Sequence, residues 1–316
     1  MPLDSHSHED AVSLVTALRP TVISRRLVYR GQSDATWPLV PSAFRQGKTF
    51  PTERGWQTVG DRQRDLDAVS GGRKGRRYVQ AFLEFGALVA FFQAADEAGL
   101  TLPEDSQIIR SKLDSESFDD NVWPDLELRS ILALAQHHGL PTRLLDWTWD
   151  WRVAAFFAAR EAIKGQTEHL AVWRLDANDL RVHTRLVYES YSPHPQGTAP
   201  RVEPKMPHVL HLVTAPGATN PNLRAQKGLF TLLQIAPGLE SPGFDLWTSL
   251  DVLAERDTGR GSISLSKHTL PTSEGPELLH ILALEEVTAA TVYPGYGGVV
   301  QSLEDRRLWD RWMRSE

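Results

Sequence analysis

The chain has 316 residues, a net charge of −6, 41% hydrophobic residues, ten tryptophans and no cysteine. That apolar content excludes disorder over most of its length, and the acidic balance argues against a generally cationic nucleic-acid-binding surface. Without cysteine there are no disulfides and no thiolate metal sites.

The N-terminus MPLDSHSHEDAVSLVTALRP lacks the basic start and apolar run of a secretion signal, and no apolar run approaches bilayer length, so a cytoplasmic location is expected. Residues 9–19 predict a short amphipathic helix with Val12, Leu14, Val15 and Leu18 as its apolar stripe, stopped by Pro20. A strand runs to Tyr29 and delivers Arg30 and Gly31 at its end. Residues 46–75, rich in Gly, Arg and Asp, read as a surface loop, and residues 100–122 as an acidic connection. RRYVQAFLEFGALVAFFQAADEAG (76–99) predicts a helix closed by Gly99. Residues 123–139 predict a second helix, opened by Pro124 and closed by Gly139.

PTRLLDWTW predicts a strand, and 150–165 a helix capped by Asp150. Residues 169–175 read as a strand, 176–228 as an irregular insertion, 229–235 and 278–284 as strands, and 298–313 as a closing helix. Strands separated irregularly by helices predict an α+β fold, a single mixed or antiparallel sheet with flanking helices. No internal repeat or clean linker divides the chain. The expected organisation is an N-terminal helix and entry (1–24), one domain over 25–305 with insertions at 46–75, 100–122 and 176–228, and a helix end at 306–316.

Alternation on the strand 142–148 puts Arg143, Leu145 and Trp147 on one face and Thr142, Leu144, Asp146 and Thr148 on the other. A carboxylate and two hydroxyls on one face are unusual beside a helix as apolar as 153–159. Five of the ten tryptophans fall between 123 and 173. They either fill a core or stack on a planar ligand, and for Trp147 both readings stand. His137 and His138 suit a helix C-terminus, where an imidazole meets the negative end of the dipole, or a site. HVLH (208–211) puts its histidines on opposite strand faces with no carboxylate at ligand spacing, which argues against a metal. RKGRR (73–77) is a solvated helix entry or a phosphate contact, and Asn222, Arg224 and Gln226 stand where a loop presents polar groups ahead of a strand.

Four segments, VYRGQSDATWPLVPSAFR, LALAQHHGLPTRLLDWTWDWRVAAFFAA, NLRAQKGLFT and VYPGYGGVVQSL, resemble in order the motifs of the FRG domain, a family named for its aromatic-Arg-Gly signature. In the last of them Gly295 replaces the acid that the family usually carries after the proline. The pattern is in turn similar to ADP-ribosyltransferases, whose core opens on such a strand and splits its sheet around NAD. The resemblance implies NAD as substrate, no metal, and a toxin-like or antiphage-defence effector modifying RNA or protein, with an antitoxin or chaperone as partner and no membrane. It implies catalytic roles for Arg30, Asp146, Thr142 and His138. It implies NAD contacts from Tyr29, Arg30, Gly31, Gln32, Arg45, Arg143, Trp147, Thr148, Asn222, Arg224 and Gln226. Gly31 is expected to let the ligand approach the backbone. No E-x-E or Q-x-E tripeptide stands at the expected late strand, which leaves Glu203, Glu277, Glu285 and Glu286 as further acids. Two alternatives stay open: a nucleic-acid-binding or -processing protein gripping phosphates through Arg30, Arg45, Arg143 and 73–77, and a non-catalytic ligand-sensing or protein-binding module.

Overall fold

The structure, a computed structural model, describes residues 3–20, 27–52, 55–70, 75–114, 118–120, 123–180, 208–214, 221–235, 248–256 and 262–314. It is an α+β fold built on one seven-stranded mixed sheet with flanking helices. The strands are β1 (Asp4–Ser7), β2 (Leu27–Gln32), β5 (Leu144–Thr148), β6 (His169–Asp176), β7 (His208–Val213), β8 (Gly228–Ile235) and β9 (Leu265–Pro271), in the order β1-β9-β6-β2-β5-β8-β7. Among the described strand pairs of this sheet, only β1–β9 is parallel. A separate hairpin joins β3 (Thr49–Thr52) to β4 (Gly55–Thr58).

Strand β6 shows why the sheet is central. Leu170 and Val172 enter one apolar cluster with helices α1 (Ala11–Leu18) and α6 (Trp151–Gly165), whereas Ala171, Trp173 and Leu175 enter another with Val28 and Leu229. Successive side chains point to opposite faces, so a strand buried on both sides needs an unbroken apolar run. Helix α6 is rich in alanine along its buried face, and its small side chains let it lie close to the sheet. It starts at Asp150, whose carboxylate accepts from the Arg152 backbone N–H, and ends at Gln166 in the left-handed region. On the β5–β8 side the sheet is covered by α3 (Arg76–Glu97) and α5 (Arg129–His137) through Phe85, Leu88, Ile131, Leu132, Leu144 and Leu232. By length and composition α3 could cross a membrane, yet 56% of its most apolar window is buried against the rest of the fold, as befits a core helix.

Several expected elements differ. The region 46–75 carries the β3–β4 hairpin and helix α2 (Val59–Ser70), because Phe50 is an apolar anchor packed on Val79 and Leu83 of α3. Residues 278–284 form a helix, Gly275–Leu284, with Leu278, Leu279 and Leu282 buried on one side; the short apolar run fits either period, and packing on α6 chose the helical one. Strand β9 is not anticipated, since its alternation is broken by Lys267 and His268. Helix α1 buries Ala11 and exposes Val12. Helix α5 starts five residues beyond Pro124, after a 3₁₀ turn at Leu126–Leu128, and α4 (Gln107–Lys112) interrupts the acidic connection. The first helix is preceded by β1, so residues 4–7 belong to the main sheet.

Candidate functional site

Strand β2 pairs with β6 from Leu27 to Gln32, and β5 pairs with β8 from Leu144 to Thr148. Between β2 and β5 there is a single ladder position, Tyr29 opposite Thr148. Beyond it the sheet parts, and a cleft of about 470 Å³ opens between Arg30–Ser33 on one strand and Asp146–Thr148 on the other. That volume lies in the usual range of small-molecule pockets, and a break in a sheet offers backbone and side chains from both sides.

Arg30 crosses this gap. Its Nη1 donates to the Asp146 carbonyl oxygen at 2.8 Å and stands 3.4 Å from Asp146 Oδ2. The side chains are 13% and 62% exposed, so the pair is open to water, unlike a sealed structural ion pair. Arg30 Nε is buried and has no hydrogen-bond partner among the described residues. A buried, unpaired cationic donor beside a cleft is costly unless an incoming acceptor satisfies it. Arg45 lines the same cleft, and burial followed by the neighbouring Arg30 charge lowers its pKa from the ordinary value.

Of the expected residues, Tyr29, Arg30, Gly31, Gln32, Arg45, Asp146, Trp147, Thr148 and Gln226 line the cleft. Several of them have other work. Trp147 is buried, and its indole N–H donates to Thr231 Oγ1 at 2.9 Å, so it is a core residue with only an edge at the cleft. Gln32 Oε1 accepts from Trp173 Nε1, and Thr148 Oγ1 donates to the Gln226 carbonyl. Gly31 does not make room for a ligand: a Cβ there would lie 2.0 Å from the Ala154 carbonyl oxygen of α6. The glycine lets the helix, not a substrate, approach β2.

Five expected residues lie outside the cleft. Arg143 is 3% exposed and spent on Glu84, donating from Nε at 2.7 Å and from Nη2 at 3.2 Å; Gln80 and Trp123 complete the shell of that carboxylate. Alternation holds within β5, but Arg143 lies just before the strand, and α3, which packs on the Leu144 side, supplies the carboxylate that seals it. Thr142 is fully buried and hydrogen-bonds Gln136. His138 is exposed at the α5 C-cap, its ring stacked near Phe91, whereas its neighbour His137 reaches the cleft. Burial, then His138, lowers the His137 pKa, and its Nε2 lies 3.3 Å from Asn222 Nδ2. Asn222 itself and the exposed Arg224 sit on helix Pro221–Ala225, away from the lining.

Among the cleft residues that went unread in the sequence are Trp37, Gln136, Phe157 and Glu161. Trp37, 48% exposed, is the aromatic free to stack on a ligand. Glu161 adds a second carboxylate from α6, half-exposed and paired with Lys164. Trp37 and Gln136 stand inside the quoted motifs, so their motif membership was the available signal; Glu161 had none. The late acids do not join: Glu285 pairs with Arg19 and Arg152, Glu277 and Glu286 are absent from the lining, and Glu203 lies outside the described residues, as do positions 73 and 74. His208 and His211 lie on β7; burial pulls His211 down to about 4. No group of three or more metal-ligating side chains occurs among the described residues.

The family model of the FRG domain matches residues 25–167. This chain carries an FRG domain. The match runs from the approach to β2 through α6, and so takes in both strands that bound the cleft and the helix packed on Gly31. The segments at 222–231 and 292–303 lie beyond it, although Gln226 from the former lines the FRG-domain cleft. No curated protein and no solved structure matches the chain.

Proposed function

We propose that the FRG-domain cleft binds NAD and that the protein is an ADP-ribosyltransferase-like enzyme acting on an RNA or protein acceptor. The observation that carries this reading is Arg30: a guanidinium held across a split in the sheet, with its Nε unpartnered and a solvent-reachable carboxylate beside it. A guanidinium binds a pyrophosphate through parallel hydrogen bonds and keeps its charge at any physiological pH. Arg45 supplies a second cation, and Trp37 a face for a planar base.

Transfer breaks the bond between ribose C1′ and the nicotinamide nitrogen. The electron pair leaves with that nitrogen, neutralising the ring, and positive charge grows on the ribose. The Asp146 carboxylate stabilises that cation, and Glu161 stands at the same cleft to take the proton the acceptor sheds on attacking C1′. Loss of a preorganised group of this kind raises a barrier by about 3–4 kcal/mol.

The test is to incubate the purified chain with NAD and follow free nicotinamide by chromatography, alone and with RNA or cell protein. Release is expected, reduced at least ~100-fold in Asp146→Asn. Absence of release with every acceptor, together with no heat of binding for NAD, would refute the reading.

A further inference from the structure

Asp146 is exposed at the cleft, yet its carboxylate is held from behind by a chain of hydrogen bonds whose direction can be read. Thr142 is fully buried. Its backbone is fixed by the loop after β2, its N–H donating to Ser42 Oγ at 3.1 Å and its carbonyl accepting from the Ala43 N–H at 3.0 Å. The Leu144 N–H donates to Thr142 Oγ1 at 3.2 Å. The hydroxyl has one proton, and Gln136 Oε1 receives it. With its carbonyl end turned to Thr142, the Gln136 amide must turn its NH₂ the other way. There Nε2 donates to Asp146 Oδ1 at 2.5 Å. The opposite amide orientation would set a carbonyl oxygen against a carboxylate and leave the threonine proton facing an amide NH₂, so the acceptor-only carboxylate and the buried hydroxyl together settle the orientation.

On its other side, among the described residues, Asp146 meets only Arg30, at its carbonyl oxygen and at Oδ2. Among the described residues, every hydrogen-bond partner of the carboxylate is therefore a donor. Oδ1 is committed to Gln136, and Oδ2 stays on the cleft side with the guanidinium. We propose that Gln136 is a positioning residue that fixes Asp146 as an outward-facing anion, and that Thr142 works one step behind it by setting the direction of the Gln136 amide. Its consequence for turnover rests on the NAD reading above; the hydrogen-bond direction does not. Thr142 thus matters to the site without touching it, and the six-residue spacing from Gln136 to Thr142 spans the α5–β5 turn that brings the two side chains together.

The experiment is nuclear magnetic resonance of the side-chain amides of the full chain, without added ligand. One Gln NH₂ resonance should be displaced downfield by its charge-assisted bond to a carboxylate, and it should vanish in Gln136→Leu, which assigns it. It should return toward ordinary positions in Thr142→Val and in Asp146→Asn, and stay displaced in Thr142→Ser. A resonance that ignores Thr142→Val in a chain with native circular dichroism overturns the proposal; should that variant unfold, an undisplaced Gln136 amide in the wild type overturns it equally. In the kinetic arm, with NAD as the probe, Gln136→Leu and Thr142→Val should lower the kcat of nicotinamide release ~10- to 100-fold with little change in KM, and Thr142→Ser should recover it. If the wild type releases no nicotinamide, the NAD reading falls and the amide resonance still decides the relay. If it does, and both variants turn over at the wild-type rate, the relay falls and the NAD reading stands.

Discussion

Arg30 and Arg143 both leave strand-forming segments, and only their surroundings separate them. Arg143 has a fully buried carboxylate, Glu84, that in turn accepts from Gln80 and Trp123. Arg143→Ala would strand that charge and cost about 3–5 kcal/mol of stability, read as a lower denaturant midpoint. Arg30 sits at an open cleft with a donor to spare. Arg30→Lys should keep the melting temperature near that of the wild type and weaken NAD binding by ~10- to 100-fold in calorimetry, since an ammonium cannot reproduce the guanidinium fork. The contrast was hidden in the sequence, because alternation assigns each side chain a face but not what covers that face.

At the scale of elements, the site depends on how closely α6 lies on β2. Gly31 is the contact point, with the Ala154 carbonyl oxygen and the Ala158 nitrogen in the space a side chain would fill. Both clashing atoms are backbone, so neither can rotate away. Gly31→Ala should therefore cost about 3 kcal/mol or more, lower the thermal midpoint, and disturb the cleft because Arg30 is its neighbour. An unchanged midpoint would contradict this account of the glycine. The other face of the arrangement was legible early: Asp150 stands before an apolar run as an N-cap should, and the structure has it there. The helix at Gly275–Leu284 was not, because its period is ambiguous over ten residues and its partners Ile163 and α6 are far away in sequence.

Across the whole molecule, buried ionisable groups set the response to acid. His268, between Ser266 and the stacked rings of His6 and His8, is held down to about 3 by burial first and then by Arg174. Its folded pKa lies below the ordinary 6.5, so the unfolded chain binds the extra proton and stability falls as pH drops below about 6.5, by at most about 1.4 kcal/mol per pH unit. Asp150 behaves differently. Burial pushes its pKa up, but the hydrogen bonds from Arg152 and Lys227 outweigh that and hold it at about 2. Its stabilisation is complete above the ordinary 3.8 and is lost as pH falls toward about 2. Urea unfolding from pH 7 to 3 should show a decline beginning near 6 that is shallower in His268→Gln. Asp150→Asn should cost about 2 kcal/mol at neutral pH and remove the step below pH 4.

The amino-acid sequence by itself determined the elements with strong local signals, the α+β class, the cap at Asp150, and the FRG motifs that name Arg30 and Asp146. Periodicity and capping act within a few residues, and a sequence carries them in full. Tertiary structure alone decided that Gly31 serves a helix, that Arg143 and Thr142 are sealed inside while Gln136, His137, Trp37 and Glu161 reach the cleft, and that a cleft exists there. Those outcomes follow from β2 and β5 meeting at one position and then parting, a relation between strands more than a hundred residues apart. No local pattern encodes where two such strands separate, because the separation is set by what packs above and below them.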